Sequence, residues 1–216
     1  MNGEGAEMVC VNGGEQAVLP EAAEQAAQTT DRIVAVRYLE GSAAQLSYFR
    51  RTDGGWKMQL SCAAHVGKNG IGKTREGDMK TPLGTFSLTV PFGILPDPSQ
   101  DDPKGRAVPR YFRVTDQHYW CGQDGPHYNR LIDNAAPPAG YSPADADEHL
   151  IRFRPAYHYA MFIGYNPEGA PGLGSAIFLH CMGRNPYTAG CVAVAEEHMK
   201  ELILELGEHA KIVIYE

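Results

Sequence analysis

Cys191 and His180 are the residues whose types and spacing could carry chemistry. Ala176-Ile177-Phe178-Leu179-His180 reads as a buried strand that delivers a histidine at its end. After a loop containing Gly183, Asn185 and Pro186 comes Thr188-Ala189-Gly190-Cys191-Val192-Ala193-Val194. A loop of this length can fold the cysteine back onto the histidine. The imidazole can then take the thiol proton and leave a thiolate, the nucleophilic form. Gly190, without a Cβ, lets a carbonyl approach the backbone, and the Gly190 and Cys191 amides are the candidates to face a developing oxyanion. Thr188 is placed to orient the loop or the histidine by hydrogen bonding. The bland alternative is an inert core thiol at the start of a strand beside a satisfied histidine.

The elements that must position this pair are mostly short β-type runs. Ile33 to Leu39, Gln45 to Arg51, Trp56 to Ala63 and Thr85 to Val90 are followed by Tyr111 to Thr115, Tyr157 to Tyr165, Ala176 to Cys181 and Lys211 to Tyr215, each bounded by turn residues. Thr52-Asp53-Gly54-Gly55 supplies a hairpin turn with glycines for positive φ. Helical spacing is clear over Ala195 to His209, where Met199, Leu202, Ile203 and Leu206 repeat and Gly207 lies near the end. A second, shorter helix is expected from Ser142, with Pro143 at its first position and Asp145 in the capping-box place. The fold class is therefore mainly β (α+β), a sandwich or open barrel with a C-terminal helix. Long Gly and Pro rich connections run from Val66 to Gly84, Pro91 to Pro109 and Gln123 to Pro143, lengths that usually mean function or disorder. Residues 1–31 read as a leader or tether with one short helix from Pro20 to Gln28, and 32–216 as one catalytic domain.

Composition narrows the partner. A formal charge of -7 leaves no basic stripe for phosphates, which disfavours nucleic acid. No apolar run approaches the roughly 20 residues of a membrane-spanning helix. Met1 to Gln16 has no Lys or Arg and no continuous apolar core, so it does not read as a signal peptide. Cysteines at 10, 62, 121, 181 and 191 lack zinc-knuckle or redox spacing, and neither metal nor cofactor is expected. Cys10, Cys62, Cys121 and Cys181 are buried thiols or paired; Cys181, next to His180, should point to the opposite face and into the core. Gly67-Lys68-Asn69-Gly70-Ile71-Gly72-Lys73-Thr74 has the spacing of a phosphate-binding loop, but Gly77, Pro82 and Gly84 break the helix that such a site requires. His158, between Tyr157 and Tyr159, is set by alternation on the opposite side from both tyrosines, where it either faces the cleft or packs elsewhere.

Taken together, His180 and Thr188-x-Gly190-Cys191 resemble the signature of the L,D-transpeptidase catalytic domain (YkuD-type). Thr81-Pro82-Leu83-Gly84-Thr85-Phe86 resembles the same family's strand entry. The similarity covers about Ile33 to Tyr215. It departs in a shorter spacer between His180 and Thr188, in Ala189 where one branch has His, and after Cys191, where Asn or Arg is frequent elsewhere. The resemblance implies that Cys191 attacks a peptidoglycan tetrapeptide stem and expels its terminal D-Ala. His180 serves as acid and then base, with a backbone carbonyl sufficing to hold its imidazole. It implies action outside the cytoplasm on stem peptides, with an amine acceptor giving a cross-link and water a trimmed tripeptide; a silent wall-binding module is the non-enzymatic alternative. Because stem peptides are anionic, Arg184, between base and nucleophile, is the best-placed cation, ahead of Lys73, Arg75 and Arg130. Tyr128 and Asn129, in the loop with Trp120 and Asp124, are expected to line the substrate groove as similar segments in relatives do.

Overall fold

A computed structural model describes residues 14–216. In chain order its strands are β1 (Glu15–Gln16), β2 (Arg32–Glu40), β3 (Ala43–Thr52), β4 (Gly55–His65), β5 (Gly84–Gly93), β6 (Phe112–Arg113), β7 (His118–Trp120), β8 (Leu131–Asp133), β9 (Glu148–His149), β10 (Ala160–Ile163), β11 (Phe178–Cys181), β12 (Val192–Val194) and β13 (Lys211–Tyr215), with helix α1 (Glu196–Leu206) between the last two. The main sheet runs β4-β12-β11-β10-β5-β13-β2-β3, and pairing of β3 with β4 brings it back to its start as a barrel-like sheet. Closure follows from β2, β3 and β4, which the two-residue Asp53-Gly54 turn helps to join in a long antiparallel meander; β2 buries the continuous run Ile33 to Val36, while β3 buries Ala44, Leu46 and Tyr48 by alternation. A separate small sheet, β8-β7-β9, packs on the barrel through Trp120, whose ring meets Phe162 and Phe178.

Strand alternation divides the apolar residues between two cores. Leu179 and Cys181 of β11 join Val34, Leu46, Leu60 and Ile212 in the main core, while Phe178 joins Phe92, Trp120, Tyr157 and Cys191 in a second one. Helix α1 lays Met199, Leu202, Ile203 and Leu206 into the main core, all at most 2% exposed. Each such side chain contributes about 1.5–3 kcal/mol of transfer free energy. Gly207 ends the helix at φ 62.

Three local expectations are corrected. Instead of one helix over Pro20 to Gln28 there are two 3-10 turns, Glu21–Ala23 and Ala26–Gln28. They bury Ala23, Ala26 and Ala27 against Ile33 and Val213, so this part of the N-terminal segment is docked on the barrel. No helix forms at Ser142: the Asp147 carboxylate accepts from the Ala144 N–H, the Tyr141 hydroxyl and the Gln123 side chain, and a side chain that captures backbone donors this way favours a turn. The strand expected over Tyr157 to Tyr165 begins only at Ala160, with Tyr157 and His158 in the preceding turn.

The Val66 to Gly84 connection is ordered, bridged at Gly67 to Thr188 and at Ile71 to Thr81, and no helix follows Lys73, as the sequence argument against a phosphate loop required. Cys62, Cys121, Cys181 and Cys191 are buried; the expectation for Cys10 lies outside the described residues. Among the described residues no helix is long and apolar enough to cross a membrane.

Candidate active site

Parallel pairing of β11 with β12 sets Leu179 opposite Val192 and His180 opposite Ala193. Cys191 thus stands at the entry of β12, beside the start of β11. Its sulfur lies against that strand: the Phe178 N–H donates to Sγ at 3.3 Å, and the thiol donates to the Ala176 carbonyl at 3.2 Å. His180 is two residues beyond Phe178 on the same face of β11, about 6.6 Å along the strand. Cys181 turns the other way, its thiol donating to the Tyr159 carbonyl at 3.4 Å.

The turn before Cys191 is held by hydroxyls. Thr188 Oγ1 donates to the Cys191 carbonyl at 2.7 Å and accepts from the Gly190 N–H at 3.1 Å. Thr81 Oγ1 donates to the same carbonyl at 3.0 Å and accepts from the Gly67 N–H at 2.8 Å. The expectation that the Gly190 amide faces an oxyanion is therefore corrected: that N–H is engaged by Thr188, and of the two amides named only that of Cys191 is left for the role.

His180 Nδ1 hydrogen-bonds the Cys181 carbonyl at 2.7 Å. A carbonyl can only accept, so Nδ1 carries the proton and Nε2 is the basic nitrogen. The ring meets Tyr157 edge-on at 5.5 Å, and the Tyr157 hydroxyl donates to Glu148 Oε2 at 2.5 Å. Glu148 is presented by the small sheet, where it pairs with Trp120, itself packed edge-on against Phe178.

A cleft of about 610 Å³ joins these groups, lined by Cys191, His180, Glu148, Tyr157, Lys73 and Arg184 among others. Cys191 and His180 are each only 7% exposed. Burial pushes the thiol up to about 12, reinforced by the Glu148 charge and opposed by the Phe178 N–H and Lys73. Burial also pulls the imidazole down to about 4 against its carbonyl hydrogen bond. The resting pair is thus neutral thiol and neutral imidazole. Glu148 is itself raised to about 7 by burial, with the Tyr157 hydrogen bond opposing.

Of the residues assigned to substrate, Arg184 is exposed at the cleft wall. Three others are corrected. Tyr128 is 1% exposed, and its hydroxyl donates to Glu76 while accepting from the Gly174 N–H. Asn129 is 2% exposed; its Oδ1 accepts from Trp120 Nε1 and the Ala176 N–H, and its Nδ2 donates to the Tyr165 and Asn166 carbonyls. Both tie loops together because their polar atoms are consumed by the chain's own groups. His158 pairs with Glu196 at the start of α1 at 2.7 Å, away from the cleft. Three groups near the pair carry no signal in local spacing: Glu148, which the small sheet brings there, Tyr157, which the turn before β10 supplies, and Asp78, whose pairing with Lys73 spans a loop.

A model of the L,D-transpeptidase catalytic domain (YkuD) matches residues 38–214. No curated protein matches the sequence. Among solved structures, similarity is found to the helical cell shape determining protein Pgp2 of Campylobacter jejuni (14% identity, TM-score 0.43, 85% of this chain and 46% of that one). It is also found to the Ldtfm-avibactam carbamoyl enzyme (16%, 0.42, 87% and 49%) and to a fused Zn-dependent amidase/peptidase/peptidoglycan-binding domain-containing protein of Clostridium acetobutylicum ATCC 824 (13%, 0.39, 86% and 52%). The chain spans about half the length of these solved chains. The family match runs from within β2 to within β13, and so takes in the barrel and both sequence motifs: the chain belongs to the L,D-transpeptidase catalytic domain family.

Proposed function

We propose that the protein is an L,D-transpeptidase acting outside the cytoplasm on peptidoglycan tetrapeptide stems through an acyl-enzyme on Cys191. The observation that carries this reading is that the Cys191 thiol and an imidazole with a fixed tautomer line one cleft, on one face of β11. Sγ attacks the carbonyl of the third stem residue as its proton passes to His180 Nε2. The C–N bond then breaks, His180 gives that proton to the leaving D-Ala amine, and a thioester remains. An acceptor amine attacks the thioester, His180 takes its proton, and the thiol is restored when the C–S bond breaks. Because burial favours the neutral pair, sulfur loses its proton in the course of attack rather than in the empty site. Arg184 at the rim is a partner for a stem carboxylate. Water in place of the amine makes the same site an L,D-carboxypeptidase.

The test is intact-protein mass spectrometry of wild type and Cys191→Ala with a purified tetrapeptide muropeptide, with and without an amine acceptor. An adduct on wild type alone, with amine-dependent exchange product, supports the transferase; tripeptide regardless of amine supports the hydrolase. Neither adduct nor product from folded protein overturns both.

A further inference from the structure

We infer that Lys73 is the cation of the reactive centre, placed beside the Gly190-Cys191 peptide to stabilise the Cys191 thiolate as it forms; the inference rests on reading Cys191 as the nucleophile.

The Lys73 side chain is 1% exposed and lines the cleft that holds Cys191 and His180. Room for it is cut into the backbone at Gly174, where a Cβ, at φ 122, would run into Lys73 Cε. The ammonium ends beside the nucleophile's turn: a Cβ on Gly190, at φ 152, would stand 3.6 Å from Lys73 Nζ, an ordinary contact, and it is the Lys80 carbonyl at 2.9 Å that would obstruct a side chain there.

Its counter-ion is built to hold it rather than to titrate. Asp78 Oδ1 accepts from Lys73 Nζ at 2.9 Å and from the Lys80 N–H, while Oδ2 accepts from the Thr74 and Arg75 N–H groups. Burial pulls the Asp78 carboxyl upward, but the Thr74 amide and Lys73 outweigh it and hold it well below the usual carboxylate range. With its charge shared among backbone amides, Asp78 leaves part of the Lys73 field unspent at the cleft. Burying an ammonium is expensive unless it is paired, so a simple strut would be better served by an apolar side chain. The other ionisable groups lining the cleft are Glu76, Glu148 of β9, Tyr157, His180 of β11, Arg184 and Tyr187, and of these Glu148 opposes the thiolate. Lys73 is the cation among those that act on it.

The test is the pH dependence of Cys191 alkylation by iodoacetamide, followed by intact mass, in wild type, Lys73→Met, Lys73→Arg and Asp78→Asn, with folding checked by circular dichroism. It needs no peptidoglycan, so its outcome is independent of the substrate reading. Loss of the charge in Lys73→Met moves the profile up by about one pH unit or more, equivalent to about tenfold slower labelling at a fixed pH below it. Asp78→Asn moves it the opposite way, and Lys73→Arg keeps it near wild type. A structural strut predicts lower melting temperatures with an unmoved profile in folded variants, which would overturn the inference. Should Lys73→Met not fold, Asp78→Asn decides: a downward shift supports the inference and an unmoved profile overturns it.

Discussion

The Thr81 hydroxyl donates to the Cys191 carbonyl across 110 positions of chain, and so joins the strand-entry motif to the nucleophile's turn. Thr81 is fully buried and accepts from the Gly67 N–H through the same oxygen. Thr81→Val keeps the volume and removes both bonds, leaving a backbone donor unsatisfied. The expected loss is about 1–3 kcal/mol of stability by chemical denaturation. Turnover should also fall by about tenfold or more, because the nucleophile's turn loses one of its two hydroxyl anchors. Thr81→Ser should recover most of both.

Asn129 tests the distinction between a loop knot and a substrate contact. Its amide makes four hydrogen bonds, two of them fully buried, at φ 58, a conformation that asparagine tolerates better than alanine. Asn129→Ala should lower stability by about 2–4 kcal/mol, measured by urea unfolding. The iodoacetamide labelling profile of Cys191 in the folded variant should stay unchanged.

Glu148 and His180 pull the pH dependence of stability in opposite directions. Glu148 moves from 4.5 to about 7 on folding, so its contribution is full below about pH 4.5 and is lost as pH rises through 7. His180 moves from 6.5 to about 4, so its contribution is present above 6.5 and is lost as pH falls toward 4. Glu148→Gln removes the first effect alone. Unfolding curves from pH 4.5 to 7.5 should then show the variant gaining on wild type as pH rises, by on the order of 1–3 kcal/mol at the upper end. Without the Glu148 charge the thiol should also label at lower pH.

Arg184 sits on an exposed loop at the cleft wall, so its removal should separate binding from folding. Arg184→Ala should leave the melting temperature within a degree or two and raise KM for an anionic stem by about tenfold with little change in kcat. The effect should shrink for a stem whose free carboxylate is amidated.

The strands that build the barrel were legible because alternation and turn residues are local. Ile33 to Leu39, Gln45 to Arg51 and Lys211 to Tyr215 all fall within β2, β3 and β13. The helix was legible from its apolar stripe. Where a side chain overrode local preference, the reading failed, as at Asp147, whose hydrogen bonds make a turn of a segment patterned for a helix. The assignment of Tyr128 and Asn129 to the groove failed for a related reason: polar loop residues look alike whether their partners are a ligand or the chain's own buried backbone.

By itself the sequence determined the family, the barrel strands other than β12 and the pairing of a strand-borne His180 with a Gly-Cys turn, because these depend on residue type and short spacing. Tertiary structure alone decided which charges act on that pair. Glu148 arrives on a separate small sheet, and Lys73 through a gap left by Gly174, 101 residues away in the chain. Electrostatic influence depends on distance through space and on exclusion of water, and neither is written in the spacing of residues along a chain.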